Sequence, residues 1–215
     1  MAVVVRVLEA SDAGLVGDVV GEELGWLNGY YARYCLEHGV CRGLKVVVDG
    51  RVAGFTLYYY VDIGVPSCVV YYLAVLEEFR GRKLGSVLLE SVEEVCKAKL
   101  YLATMSAWNF ASRHLFEKHC YKCFEFDVLY ELIGWSRVDV LVRATCGYED
   151  DIVCVKAGGG DNVVDVLRGV RETKSLRRVW RRVCIDPWWR FLRARVSPIL
   201  AALVSLHALV CLLLQ

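Results

Sequence analysis

The sequence predicts a mixed α/β fold: a mostly antiparallel central sheet with helices on both faces and a helical extension at the C-terminus. Three observations predict it. Val69 to Leu76 is a continuous apolar run suited to a buried strand. It leads through a basic, glycine-containing turn, Arg80 to Gly85, into an apolar-periodic segment (Val87, Leu88, Leu89, Val92, Val95). Asp49-Gly50 joins two strand-like runs, 45–49 and 51–61, as a hairpin turn that accepts positive φ. The last third places Val163, Val166, Leu167, Val170, Val179, Trp180 and Val183 largely at helical spacing, opposite a basic face.

From the N-terminus onward, Val3 to Leu8 reads as a first strand, and Ser11 and Asp12 can cap the helical segment after it. Residues 12–38 are helical in pattern, with a break between Gly25 and Gly29. Gly54 inside a strand implies a bulge or a close backbone approach. Pro66 and Ser67 turn the chain into the central strand, and Leu100 to Ser106 is another short strand. Residues 121–132 and 137–144, rich in β-branched and aromatic side chains, read as two closing strands. Residues 147–160 are a linker or one more strand at Ile152 to Val155, with Gly158 to Gly160 as the flexible stretch and Asp161 as a cap. The expected organisation is a folded domain over 1–146, this connection, a basic amphipathic helical segment over 161–195 and a hydrophobic helix over 196–215.

Composition adds an asymmetry. The net charge is +1 over 215 residues. Residues 168–195 carry ten Lys or Arg against Glu172 and Asp186, a local +8, which leaves −7 on the rest. An acidic body with a basic arm asks for a partner. Arg6 and Glu9 interrupt the first apolar run, so the N-terminus does not read as a secretory signal, and a cytoplasmic domain is expected. In that compartment the ten cysteines read as small buried hydrophobes. Cys120-x-x-Cys123 lacks a second pair at zinc-finger spacing and reads as a helix end and strand start; no metal site is expected.

The turn at 80–85 carries the functional signal. The first amides of a helix have no intrahelical partner and lie at the positive end of its dipole. Gly81 and Gly85 let an anion approach the backbone, and Arg80, Arg82 and Lys83 add charge. The segment resembles the acyl-CoA signature of the GCN5-related N-acetyltransferase (GNAT) superfamily, Arg/Gln-x-x-Gly-x-Gly/Ala. Arg80 takes the first place, Gly85 the last glycine, and Lys83 stands where the family has its first glycine. Downstream, Asn109, Ser112, Phe116, Cys120 and Tyr121 match the spacing of a second family motif, Asn-x-x-Ala-x-x-x-Tyr-x-x-x-Gly-Phe. The resemblance covers residues 1–146.

The resemblance implies a GNAT-like sheet and an acetyl transfer from acetyl-CoA, as substrate, to an amine: a protein N-terminus, a lysine or a small molecule. Main-chain groups of Leu73 and Val75 are then expected to hold the pantetheine arm. Amides of Arg82, Lys83, Leu84, Gly85 and Ser86, with Arg80, are expected to hold the pyrophosphate. Asn109 and Ser112 are placed toward the cofactor arm. Phe116 occupies the place of the tyrosine that protonates the leaving thiolate and cannot donate; Tyr121 or water is left for that role. The central strand offers Tyr71 and Tyr72 where the family often has a basic carboxylate. Glu22, Glu23 or Asp62, through water, are left as bases, and Glu22, Glu23, Trp26, Tyr30 and Tyr31 as lining for the acceptor. The loss at Phe116 keeps a second reading open, a catalytically weak acyl-CoA-binding regulatory module tethered to a membrane.

The end of the chain supplies that tether. Residues 196–214 are 19 residues without a charge, about 28 Å as a helix at roughly 1.5 Å per residue, close to a bilayer's hydrocarbon thickness. Trp188 and Trp189 suit an interfacial belt, and Arg190, Arg193 and Arg195 suit the positive-inside rule. Membrane association through 188–214 stands beside a helix buried on protein. Nucleic acid is not the expected partner of the basic arm, and the sequence leaves room for a homodimer.

Overall fold

The computed structural model describes residues 2–195. Seven strands form one sheet: β1 (Val3–Val7), β2 (Arg42–Val48), β3 (Arg51–Asp62), β4 (Pro66–Val75), β5 (Leu100–Met105), β6 (Lys122–Glu125) and β7 (Ile152–Ala157). Their order is β1-β2-β3-β4-β5-β7-β6. Every pairing is antiparallel except β4 with β5. The expected sheet class is therefore present, and Ile152–Ala157 is a strand inserted between β5 and β6.

Two apolar layers sandwich the sheet. On one face lie α3 (Leu84–Cys96) and α4 (Phe110–Lys118), through Leu84, Leu88, Leu89, Val92 and Phe116. On the other lie α1 (Ala13–Leu24), α2 (Trp26–Glu37), α5 (Phe126–Ile133), α6 (Trp135–Thr145), α7 (Val163–Arg168) and α8 (Lys174–Trp180). After α8 a wide helical turn, Arg181–Ile185, leads into α9 (Asp186–Arg195). The extension is packed onto the second layer through Val163, Leu167, Val170, Leu176 and Val183. Its cap is Asn162, whose side chain accepts from the Val164 amide at 2.9 Å, one residue beyond the expected Asp161.

Two local features shape the site. The β3–β4 register passes from Leu57–Tyr72 to Tyr58–Val70, so Tyr71 is an extra residue, a bulge. The bulge shifts the side-chain phase. Val69, Tyr71 and Tyr72 all pack toward the α1–α2 face, while Val70 and Leu73 pack toward α3. Gly54 meets both expectations set for it. The β2–β3 register skips Ala53 beside it, and a Cβ on Gly54 would lie 2.6 Å from the Ala74 carbonyl oxygen.

α1 and α2 cross closely at glycines. A Cβ on Gly29 would stand 2.4 Å from the Gly17 carbonyl oxygen and 2.8 Å from the Gly21 Cα. The break between them falls at Gly25, at φ +91°. Asp12 precedes α1, but its carboxylate reaches back to the Glu9 amide at 2.8 Å and sideways to Lys45 at 2.7 Å.

Two expectations are corrected. Of the two closing strands, only Lys122–Glu125 is extended. Residues 126–133 and 135–145 are helices. Val138, Val140 and Val142 alternate like a strand. The buried set Val138, Val140, Leu141, Ala144 and Thr145 falls at i, i+3 and i+4 steps, and the Asp139–Arg143 ion pair at 2.7 Å has the spacing of a helix as well. The cysteines are the second correction. Eight of the nine described form four disulfides, Cys35–Cys41, Cys68–Cys96, Cys123–Cys154 and Cys146–Cys184, and Cys120 is free and exposed. Pairings such as Cys123 with Cys154, opposite each other on β6 and β7, exist only once the sheet is formed. Among the described residues no helix is long and apolar enough to cross a membrane. The expected membrane helix, 196–214, lies outside them.

Candidate active site

The parallel pair β4–β5 holds together only from Ser67–Val69 against Leu100–Leu102. Beyond those three pairs the strands part, leaving a gap at their carboxyl ends, where open α/β sheets bind ligands. The sheet side of the gap presents Tyr71 and Tyr72 from the bulge and Thr104 and Met105 from β5. A cavity of about 470 Å³ opens there. α1 and α2 contribute Leu24, Leu27, Asn28 and Tyr31, the start of α4 contributes Asn109, the segment after α6 contributes Tyr148, Glu149 and Asp150, and α9 contributes Trp188.

The turn after β4 combines two positive-φ residues with the start of α3. Gly81 sits at φ +77° and Lys83 at φ +61°, so Lys83 adopts the left-handed conformation a glycine takes without cost. Val87 N–H makes the first bond of α3, to the Lys83 carbonyl at 3.2 Å, which puts Leu84, Gly85 and Ser86 in the first turn. Gly85 has a second reason to be glycine: a Cβ there would lie 3.2 Å from Leu115 of α4. Leu84 is buried in the core. Arg80 is folded back, bonded to the Val75 carbonyl at 3.1 Å and paired with Glu23. Arg82 lies over the Phe79 ring at 5.4 Å. Asn109 caps α4, its side chain accepting from the Ser112 amide at 3.1 Å, and borders the cavity. Ser86 meets the His119 ring at 2.9 Å.

The expected acid–base residues are not gathered at the cavity. Glu22 and Glu23 are exposed on α1, and Glu23 pairs with Arg80. Asp62 ends β3 and accepts from the Gly64 amide at 2.8 Å. Tyr121 is 3% exposed and lies edge-on to Phe116, centroids 4.9 Å apart, in the core on the α3 side. Burial, with Glu93 nearby, pushes its hydroxyl far above the usual tyrosine range. Of the expected acceptor lining, Tyr31 borders the cavity, while Trp26 and Tyr30 stack on Phe191 of α9 at 4.8 and 5.6 Å.

The carboxylates that do reach the cavity are Glu149 and Asp150, and no lining residue is basic among those described. Burial raises the Asp150 carboxyl above its ordinary value, the neighbouring Asp151 and Glu149 add to this, and a hydrogen bond from Thr104 opposes it. The segment is held rigidly: Asp151 N–H donates to the Met105 carbonyl at 3.1 Å, and its carboxylate accepts from the Ala107 amide at 2.8 Å. Gly147 permits the approach, since a Cβ there would lie 2.8 Å from the Thr104 hydroxyl. Tyr71 and Tyr72 are hydrogen-bonded to each other, and Tyr72 donates to Asn28 at 3.1 Å. Burial raises Tyr31, Tyr71 and Tyr72, so all three are protonated donors at neutral pH. The acidic run after Gly147 and the paired tyrosines are both visible in the sequence, but nothing local joins them. Trp188 was legible only as a membrane-belt residue.

The sheet is thus parted between its two parallel strands, over a basic, glycine-bearing turn and beside an acidic cavity. Residues 18–120 match the family described as the acetyltransferase (GNAT) family, and over that stretch the chain is a GNAT N-acetyltransferase domain. Solved structures share the fold. Arabidopsis thaliana NAA60, in complex with a bisubstrate analogue, is 13% identical over 74% of this chain and 100% of its own, with a TM-score of 0.55. A putative GNAT acetyltransferase from Desulfovibrio desulfuricans is 18% identical over 73% of this chain and 99% of its own, at 0.55. Diaminobutyrate acetyltransferase EctA from Paenibacillus lautus, bound to its substrate and coenzyme A, is 18% identical over 75% and 98%, at 0.53. No curated protein matches the chain significantly.

Proposed function

We propose that the chain transfers the acetyl group of acetyl-CoA to a cationic amine held in the cavity at the split of β4 and β5. The observation that carries this reading is the half-buried Asp150, a carboxylate with a raised pKa, bonded to Thr104 in a cavity with no basic residue in its lining among the described residues. An acidic cavity favours a protonated amine, and a carboxylate with a raised pKa is a better base than an ordinary one. The amine gives a proton to Asp150 and its nitrogen attacks the thioester carbonyl carbon. The C–N bond forms, the C–S bond breaks, the leaving thiolate takes the nitrogen's second proton to become the thiol, and Asp150 returns its proton to solvent. Net, acetyl-CoA and a protonated amine yield the amide, coenzyme A thiol and one proton.

Amides of residues 82–86 hold the pyrophosphate, with Lys83 as the supporting charge and Arg80 latching the turn to β4. Leu73, Val75 and Asn109 border the pantetheine arm. Tyr71 and Tyr72 stand at the gap, Tyr71 bonded to Tyr72 and Tyr72 donating to Asn28, so their hydroxyl oxygens are what they offer to the reactants. Positioning of two reactants in one cleft supplies much of the rate. Acetyl-CoA turnover over a panel of amines tests the reading, with calorimetry for coenzyme A alone. Binding without turnover on any amine leaves the regulatory acyl-CoA-binding reading in its place.

The membrane tether is a separate proposal. It rests on the uncharged run 196–214 directly after Arg190, Arg193 and Arg195. Flotation with liposomes, full-length chain against a truncation after Arg195, tests it. Full-length protein that stays at the bottom of the gradient ends it.

A further inference from the structure

The acceptor cavity lies between two walls. One is α2, with Asn28 and Tyr31; the other is the segment 145–150 at the end of α6 and beyond. Cys184, in the wide turn before α9, is joined to both. Its sulfur is disulfide-bonded to Cys146, and its carbonyl accepts from the Tyr31 hydroxyl at 3.0 Å. The bridge continues on each side. Trp180 donates its indole N–H to the Tyr148 hydroxyl at 2.6 Å, and Phe191 stacks on Trp26 and Tyr30. Arg190 meets the His38 ring nitrogen at 3.1 Å. One helical turn beyond Cys184, Trp188 enters the cavity lining.

We infer that this strap of α8, the wide turn and α9 closes the far end of the acceptor slot, that Trp188 is its specificity-determining residue, and that the acceptor is a small-molecule amine and not a polypeptide end. The inference rests on the transferase reading above and narrows it. A peptide must run on past its reacting nitrogen, and the strap crosses from wall to wall where that chain would pass. A compact cation needs only the tyrosine hydroxyls and the acidic end of the cavity. The fastening is covalent through Cys146–Cys184 and polar through Tyr31 and Tyr148, so the slot is blocked by a fixed element. The residue pattern of α8 and α9 carries no sign of this role.

The test uses the full chain and two conjugates of coenzyme A, one joined through an acetyl linker to a small primary diamine and one to the N-terminus of a tetrapeptide. Calorimetry reads binding without requiring turnover. The small conjugate is expected to bind at least about 100-fold more tightly than the tetrapeptide conjugate, as when one ligand must displace packed structure. Trp188→Ala shortens the wall, and its side chain is 38% exposed, so folding tolerates the change. It should cut that ratio about tenfold while the affinity for coenzyme A stays within about twofold. Cys184→Ser, which unfastens the strap from Cys146 in the cavity wall, should move the ratio in the same direction. Equal binding of both conjugates by the wild type, or a ratio unmoved in both variants, overturns the inference and leaves the transferase reading standing. Coenzyme A that does not bind at all removes both.

Discussion

The turn at 80–86 and the acceptor cavity are both built at the split of β4 and β5, yet they are made in opposite ways. The turn is one contiguous stretch of strand, basic loop and helix start. The cavity draws on five separate parts of the chain, from Leu24 to Trp188, and on a disulfide between residues 38 apart. Binding a constant cofactor head group asks for a fixed local shape. Choosing an acceptor asks for walls, and walls come from insertions and extensions. Here the proposed walls are α2 and the segment 145–150 that follows the α5–α6 insertion, bridged by the strap that carries Trp188.

Substitutions can break this division, and the largest effect belongs to the cavity. Asp150→Asn is expected to lower kcat by about 10²–10⁴-fold, the usual worth of a general base, with the KM for acetyl-CoA little changed. Wild-type kcat/KM should rise with pH through a pKa above the usual carboxylate range, because the base must be deprotonated; the variant should lose that limb. The same substitution should raise thermal stability at neutral pH. A folded pKa above the unfolded one means the native state binds the proton more tightly, so Asp150 contributes less stability as pH rises through its folded pKa. The stability gap between variant and wild type should therefore narrow as pH falls. Steady-state kinetics and melting curves across pH check both.

Gly85→Val tests the other half of the comparison. Its methyl groups crowd Leu115 and the first-turn amides, at an overpacking cost of about 1–3 kcal/mol. The KM for acetyl-CoA should rise about tenfold, since 1.4 kcal/mol is a factor of ten, while the acceptor preference is kept. If preference shifts as well, the two regions are not separable.

Phe116→Tyr sharpens the boundary. The ring is 4% exposed and packed against Tyr121 on the α3 side, so an added hydroxyl costs about 1–3 kcal/mol without a new partner. We expect a lower melting temperature and no gain in turnover. A clear rise in turnover instead places a thiolate-protonating position on α4.

The smallest effect is at Lys83. Lys83→Gly relieves a left-handed lysine, about 1–2 kcal/mol, but frees the unfolded chain by about 0.5–1 kcal/mol, so stability should change by less than about 1 kcal/mol. Loss of its charge should weaken coenzyme A binding only slightly; denaturant melts and calorimetry read the two effects separately.

Legibility divides along the same line. The hairpin at Asp49-Gly50, the α1–α2 break and the turn at 80–85 were readable because neighbouring residues make each of them. The bulge at Tyr71 was not, because Val69 to Leu76 is apolar on both faces and carries no alternation to interrupt. Residues 137–144 misled for the reverse reason: valines at every second position look like a strand, while burial and the Asp139–Arg143 pair have helical spacing. Asp150 and Trp188 were invisible as site residues because each lies outside every motif.

Alone, the chain's order of residues determined the sheet class, the phosphate-type turn and the family, since periodicity, a glycine turn and a helix start are short-range properties of the backbone. Tertiary structure decided the cavity that holds the proposed base, the proposed acceptor walls and the four disulfides. Each of these requires groups far apart in sequence to meet, and only the packed sheet brings β4, the segment after α6 and α9 to one place.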